Sequence, residues 1–197
     1  MKRFHKYLGL LMLLPIIAWA ATGVFFFFKP GYQAAYQPLT VKLYPLTNLH
    51  DIKVQQNWLE VRQVKSILGD HLLVKTEQGW QQLSLADQSE IIEPTNEQVS
   101  LLVNDAIESD LNRYGAIKSI DKHTITTTTD VTITFNWQQM TLRQQGRDTA
   151  LINNIYNIHY LRWTGIKVLD QFLGVIGLFL VVVLAVLGTI MTLKKKK

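Results

Sequence analysis

The feature that most limits how this chain can fold is an uncharged run of 22 residues near its C-terminus, from Phe172 to Leu193. An α-helix rises about 1.5 Å per residue, so this run spans the roughly 30 Å hydrocarbon core of a bilayer. Lysines 194–197 follow directly. Because lysine is retained on the cytoplasmic side, the pattern predicts a transmembrane helix with a cytoplasmic C-terminus.

A second uncharged run of 22 residues, Tyr7 to Phe28, follows the basic head of residues 1–6. Ala18-Trp19-Ala20 would suit the cleavage site of a signal peptide, but the apolar run continues for eight residues beyond it. We therefore predict a retained helix antiparallel to the first, with both termini cytoplasmic and residues 29–171 extracytoplasmic.

Charge and composition exclude several classes of function. The net charge is +5, but the two termini hold seven basic residues, and Lys29 to Lys167 contains 13 Lys and Arg against 14 Asp and Glu. The basicity therefore marks topology, and no nucleic-acid partner is expected. The chain has no cysteine, phosphate-binding glycine loop, His-Glu-x-x-His pair or Gly-x-Ser-x-Gly motif. We expect no enzymatic activity and no resident cofactor.

The segment between the spans repeats itself. Ser66-Ile67 and Trp80-Gln81-Gln82 are echoed by Ser119-Ile120 and Trp137-Gln138-Gln139, at offsets of 53 and 57 residues. His71 and His123 lie at corresponding places in the two copies. The pattern predicts a duplicated α-β-β-β unit, and the overall class is a membrane α+β protein. The expected segments are a connector (29–45), the first unit (46–93), the second unit (94–148), a juxtamembrane amphipathic helix (149–171), the second span (172–193) and a lysine tail (194–197).

Local patterns place the elements of each unit. In the first we expect a short helix over 47–56 and strands over 61–68, 71–76 and 80–85. In the second, Thr95 with Gln98 predicts a capping box, an apolar stripe from Val99 to Leu111 predicts a helix, and Gly115 ends it. Strands should follow over 116–121, 124–137 and 138–143, the middle one being either a single strand or a bent pair.

Several residues are candidates for contacts. Trp80 and Trp137 are either core residues or an exposed pair that forms a peptide-binding groove. Small residues in the second span predict a close helix contact, either with the first span or with another subunit of a homo-oligomer. The residues of this seam are Gly174, Gly177, Val181, Ala185 and Gly188, facing Gly9, Leu13, Ile16, Ala20 and Gly23 in the first span.

Two histidines could ligate haem. His5 lies at the inner end of the first span and His159 beside the outer end of the second. The span geometry separates them by some 30 Å, so they cannot hold one iron within one chain. Haem would need a partner chain, or one haem per histidine. The alternative is that both are interfacial histidines that hydrogen-bond the backbone or lipid headgroups.

The two ends of the chain resemble PepSY-associated transmembrane proteins. The matching residues are His5, Leu8-Gly9-Leu10 and Ala21-Thr22-Gly23 at the start, and Ile158 to Gly165 followed by Gly174, Gly177 and Gly188 at the end. The resemblance implies small PepSY-type modules, as found in peptidase propeptides, presented at a bacterial inner membrane. Larger members have four or more spans, and some resemble reductases that hold haem between membrane histidines. Half of that helical bundle is missing here.

We therefore expect a lipid-embedded protein whose extracytoplasmic module binds a membrane or periplasmic protein. The alternatives are a haem- or metal-linked subunit of an iron or siderophore reduction system, and a regulator of an envelope peptidase.

Overall fold

Two long helices flank a β-rich region along the chain. The computed structural model describes residues 2–47, 51–91 and 93–194. The helices are α1 (Lys2–Phe28), α2 (Tyr32–Ala35), α3 (Asn96–Ile107), α4 (Leu111–Tyr114), α5 (Arg147–His159) and α6 (Lys167–Lys194). The strands are β1 (Glu60–Ser66), β2 (Gly69–Thr76), β3 (Gly79–Leu83), β4 (Ile117–Asp121), β5 (Thr124–Thr127), β6 (Thr132–Asn136) and β7 (Thr141–Gln145). They fall into a helical unit (Met1–Ala34 with Asp148–Lys197) and a sheet unit (Ala35–Arg147).

The helical unit is built on α1 and α6, which are long and apolar enough to cross a membrane. Their best 18-residue windows have mean hydropathies of 2.2 and 2.9. The two helices are antiparallel: Gly9 lies against Leu184, and His5 lies against Gly188. Most of their apolar side chains point outward. Such surfaces suit lipid, as expected for membrane-spanning helices.

The predicted juxtamembrane helix is shorter than expected. Helix α5 ends at His159, and residues 167–171 belong to α6 instead. Leu161 and Gly165 have positive φ angles of 55° and 75°, which reverse the chain between the two helices. Asp170 stabilises this turn, since its Oδ1 accepts hydrogen bonds from the Thr164 N–H at 2.8 Å and the Thr164 hydroxyl at 2.7 Å. The amphipathic pattern could not reveal this bond.

The sheet unit contains two antiparallel sheets. One has the order β1-β2-β3 and the other β4-β5-β6-β7, each a simple meander. Helix α3 begins with the predicted capping box between Thr95 and Gln98. Its apolar stripe then packs into a core shared with both sheets, formed largely by Leu73, Val99, Leu102, Val103, Ile107, Ile125, Ile133, Phe135 and Leu142. The two sheets are separate, but one hydrophobic core joins them.

Two local expectations are wrong in the structure, and one open alternative is decided by it. The helix expected over 47–56 is wrong for residues 51–56, which are not helical: Ile52 packs inward and Val54 is exposed. Residues 48–50 lie outside the described residues. The segment 124–137 is the bent pair β5–β6. Leu111 is 59% exposed, because a 3-10 turn over Glu108–Asp110 ends the apolar stripe at Ile107. The chain then reaches the predicted stop at Gly115 through α4.

Candidate functional site

The paired tryptophans do not share a surface. Trp80 is the second residue of β3 and half-buried, with the Arg62 guanidinium 4.8 Å from its ring centre. Trp137 follows β6, is only 5% exposed, and makes an edge contact with His71 at 5.5 Å. Trp137 is therefore a core residue, and an exposed groove formed by the pair is excluded. Trp80 lies within a strand, whereas Trp137 follows one, so the duplication remains a prediction.

A buried chain of hydrogen bonds runs from the first sheet to the second. His71 lies 2.7 Å from Ser66 Oγ through Nε2 and 3.1 Å from Gln82 Oε1 through Nδ1. Gln82 Nε2 donates to the main-chain carbonyl of Trp137. Because that bond fixes the orientation of the Gln82 amide, Gln82 Oε1 faces His71 and must accept a hydrogen bond. His71 therefore carries its proton on Nδ1, and its Nε2 accepts a hydrogen bond from the Ser66 hydroxyl. Every hydrogen bond of this network therefore has a defined donor and acceptor.

This network is structural in character. A serine hydroxyl donating to a histidine resembles the start of a hydrolase triad. Ser66, His71 and Gln82 are, however, only 3%, 4% and 2% exposed, which leaves no access for a substrate. Burial lowers the pKa of His71, although Gln82 and the charge of Asp70 oppose that shift. The repeat-equivalent His123 instead lies in the β4–β5 turn, 3.5 Å from a Glu93 carboxylate oxygen.

A groove of about 530 Å³ opens in the sheet unit beside the connector. The connector pairs with β7 at Thr40–Thr141 and with β1 at Tyr44–Lys65. The Gln144 side chain also holds the connector, donating to the carbonyls of Ala35 and Gln37 at 3.1 Å. Pro38 lies between these attachments and has no N–H to offer β7. The connector therefore meets β1 at one bridge and β7 at one bridge and the two Gln144 bonds, and the groove lies among these attachments.

The groove has an apolar floor and two arginines in its lining. Its floor contains the buried side chains of Leu39, Val41, Leu73, Met140 and Leu142. Arg62 and Arg143 are its charged lining residues. The sheet unit as a whole has 10 Lys and Arg against 13 Asp and Glu. Arg62 is paired with Glu60 at 2.6 Å, so Arg143 is the lining cation without an ion pair among the described residues, and its charge favours a ligand with negative charge.

The connector is also fastened to α3 by a group of polar side chains. Lys42 Nζ lies 3.1 Å from Asp105 and 3.2 Å from Glu108, and the Tyr44 hydroxyl donates to Asp105 at 2.8 Å. These carboxylates raise the pKa of Lys42, and the bond to Asp105 raises that of Tyr44. The carboxylates on this helix therefore hold the connector beside the groove.

The two candidate haem histidines lie far apart in the helical unit. His159 Nδ1 is 2.9 Å from the Thr22 hydroxyl, and its ring stacks on Trp19 at 5.7 Å. His5 packs against Gly188, and its buried Nδ1 has no partner among the described residues. Thr22, which His159 contacts, lies 17 residues after His5 on α1, or about 26 Å along the helix. One haem held by both histidines of the same chain does not fit.

The predicted small-residue seam is only partly a contact between α1 and α6. Gly188 contacts His5 of α1, whereas Gly174 and Gly177 lie against Leu161 in the turn that precedes α6. The remaining predicted residues of α6, Val181 and Ala185, are exposed. On α1, Gly9 and Gly23 face the packed side, while Leu13, Ile16 and Ala20 are exposed. The packed stripe of α1 includes His5, Leu8, Gly9, Met12, Thr22 and Gly23.

Two lipid-suited helices that flank a β-rich unit in the sequence define a membrane protein with mixed α and β structure. This chain belongs to the family described as PepSY-associated TM region, whose profile matches residues 2–197. Searches of curated proteins and of solved structures returned no match. Family membership and fold together confirm the expected class of membrane protein.

Proposed function

We propose that this protein is a non-enzymatic interaction module of the bacterial inner membrane. Both termini would be cytoplasmic, and the sheet unit would lie outside, where it binds an extended segment of an envelope protein. The basic head and the lysine tail support this orientation, because Lys and Arg concentrate on the cytoplasmic side. The groove beside β1 and β7 is the observation that carries the proposal.

Sheet edges favour an extended peptide as the occupant. Strands β1 and β7 are each at an edge of their sheet, and each has one bridge to the connector outside its sheet. Peptides commonly add to such edges through main-chain hydrogen bonds, while pockets receive alternate side chains. The apolar floor would receive aliphatic side chains. The exposed Arg143 would pair with an acidic residue of the partner.

Site-specific photo-crosslinking in cells tests this proposal. A photoreactive amino acid is placed at Leu43, an exposed residue of the groove, and at Leu101, an exposed residue of α3 outside the groove. The proposal expects a discrete adduct at position 43 alone, with the crosslinked peptide of the partner carrying Asp or Glu near the attachment point. Equal crosslinking at both positions would contradict it.

A charge-reversal pair completes the experiment. Arg143→Glu should abolish the adduct at position 43, because the partner's acidic residue would then face a like charge. Lys118→Glu makes the same charge change on β4, the opposite edge of the same sheet, and should leave the adduct intact. An adduct that is insensitive to Arg143→Glu would exclude charge recognition in the groove.

The haem-linked alternative has its own measurement. The separation of His5 and His159 argues against a single bis-histidine haem in one chain. We propose that the protein carries no haem, and we expect no Soret band from full-length protein purified in mild detergent from cells supplied with iron. A Soret band that shifts on reduction and is lost in His159→Ala would overturn this proposal and favour a redox subunit.

A further inference from the structure

A second groove, of about 810 Å³, lies within the helical unit around the turn between α5 and α6. One end is polar and basic, with Arg162 and Lys167 among its lining residues. The other end is apolar and runs along α6 past Val175 to Leu178. From Lys167 to Leu178 the helix rises about 16 Å, which is roughly half the thickness of a bilayer's hydrocarbon core. The groove therefore changes from charged to apolar over the depth of one membrane leaflet.

The basic end is held in place by aromatic rings. The Arg162 guanidinium lies 5.4 Å from the centre of the Tyr160 ring, and that ring stacks on Tyr156 at 5.8 Å with an interplanar angle of 9°. Tyr160 and Trp163 are both more than half exposed, as is typical of aromatic residues at the membrane–water interface. Arg162 is thus positioned at the depth of lipid headgroups.

The charge of this end is positive. Arg162 and Lys167 are exposed, and neither forms an ion pair within the part of the chain that the structure describes. The acidic residue of the groove, Asp170, is only 6% exposed, and its Oδ1 already accepts both hydrogen bonds from Thr164. Two cations therefore face one largely buried carboxylate, so an anionic group is favoured at this end.

We propose that this groove binds an anionic phospholipid from the adjacent leaflet. Arg162 and Lys167 would bind the phosphate, with a bidentate contact available to the guanidinium. An acyl chain would lie along Gly174, Val175 and Leu178, where the absence of a side chain at Gly174 leaves room. The inference does not depend on the partner of the sheet unit, because all of these residues belong to the helical unit.

Native mass spectrometry of the full-length protein in mild detergent tests the proposal. The probes are dioleoyl phosphatidylglycerol, dioleoyl phosphatidylethanolamine, and inorganic phosphate as a headgroup-only competitor. Phosphatidylglycerol should bind with one preferred site and about tenfold tighter than phosphatidylethanolamine, and millimolar phosphate should not displace it. Equal binding of the two lipids would overturn the proposal, as would displacement by phosphate, which would indicate a simple anion site.

Matched variants separate charge from folding. Arg162→Gln/Lys167→Gln should abolish the tenfold preference, whereas Arg162→Lys/Lys167→Arg keeps both charges and should retain it. Lys29→Gln/Lys194→Gln removes two charges outside the groove and serves as the control. If the control loses the preference as fully as Arg162→Gln/Lys167→Gln, the selectivity comes from the overall charge of the protein, and the proposed site is wrong.

Discussion

Replacing Gln82 by leucine tests how much the buried network stabilises the sheet unit. The substitution keeps a side chain of similar size but removes the acceptor for His71 Nδ1 and the donor to the Trp137 carbonyl. The His71 Nδ1–H and the Trp137 carbonyl, which lose their partners, belong to buried residues. A buried polar group without a hydrogen-bond partner costs roughly 1–3 kcal/mol. The free energy of unfolding should therefore fall by about 2–6 kcal/mol.

Hydrogen exchange measured by mass spectrometry on the full-length protein would report this loss. A decrease of about 2 kcal/mol corresponds to roughly 30-fold faster exchange of amides that open with the whole sheet unit, such as those of β2. Gln81→Leu is the matched control, because Gln81 is the preceding residue of β3 and only half-buried. Its exchange should change by about twofold or less. Comparable exchange in the two variants would refute the assigned network.

Three further predictions follow from the same structure. Because burial lowers the pKa of His71, the unfolded state binds the histidine's proton more readily than the folded state does. The stability from His71 should therefore be complete above pH about 6.5, and the free energy of unfolding should fall by up to about 1.4 kcal/mol per pH unit below it. His71→Leu should flatten this profile when hydrogen exchange is measured as a function of pH. The chain has no cysteine, so a single introduced cysteine can be labelled selectively. Leu101→Cys should react with a membrane-impermeant maleimide in intact cells, whereas Lys194→Cys should react only after permeabilisation. The reverse pattern would invert the proposed topology. Gly188→Leu should push His5 away from α6 and lower the melting temperature of the detergent-solubilised protein by several degrees, whereas Ala185→Leu, on the exposed side of α6, should leave it unchanged.

Sequence reasoning succeeded where a local pattern repeats over several turns or residues. Helix α3 was predicted from its capping box and apolar stripe, and both are present. The stripe was extended too far, to Leu111, because periodicity does not show where a 3-10 turn will change the direction of the chain. The amphipathic helix after Thr149 was likewise extended too far, since its end depends on the bond between Thr164 and Asp170.

The candidate sites were harder to predict, because they combine residues from distant parts of the chain. Arg62 and Arg143 line one groove only because the connector approaches β1 and β7 together. The Trp80 and Trp137 echo suggested a shared surface, but the second tryptophan is in the core beside His71. Pro38 was a usable signal, since a proline beside an edge strand indicates a point where pairing stops.

The sequence by itself determined that this is a membrane protein with two helices long and apolar enough to span a bilayer, because length and lack of charge define such segments. It also determined most of the strands of the sheet unit, because alternation and turn residues act locally. Only the tertiary structure decided which face of α6 packs against α1, where the buried His71 network joins the two sheets, and which cations line each groove. Those features depend on long-range contacts, whose geometry is set by the packing of the whole unit and not by any single stretch of residues.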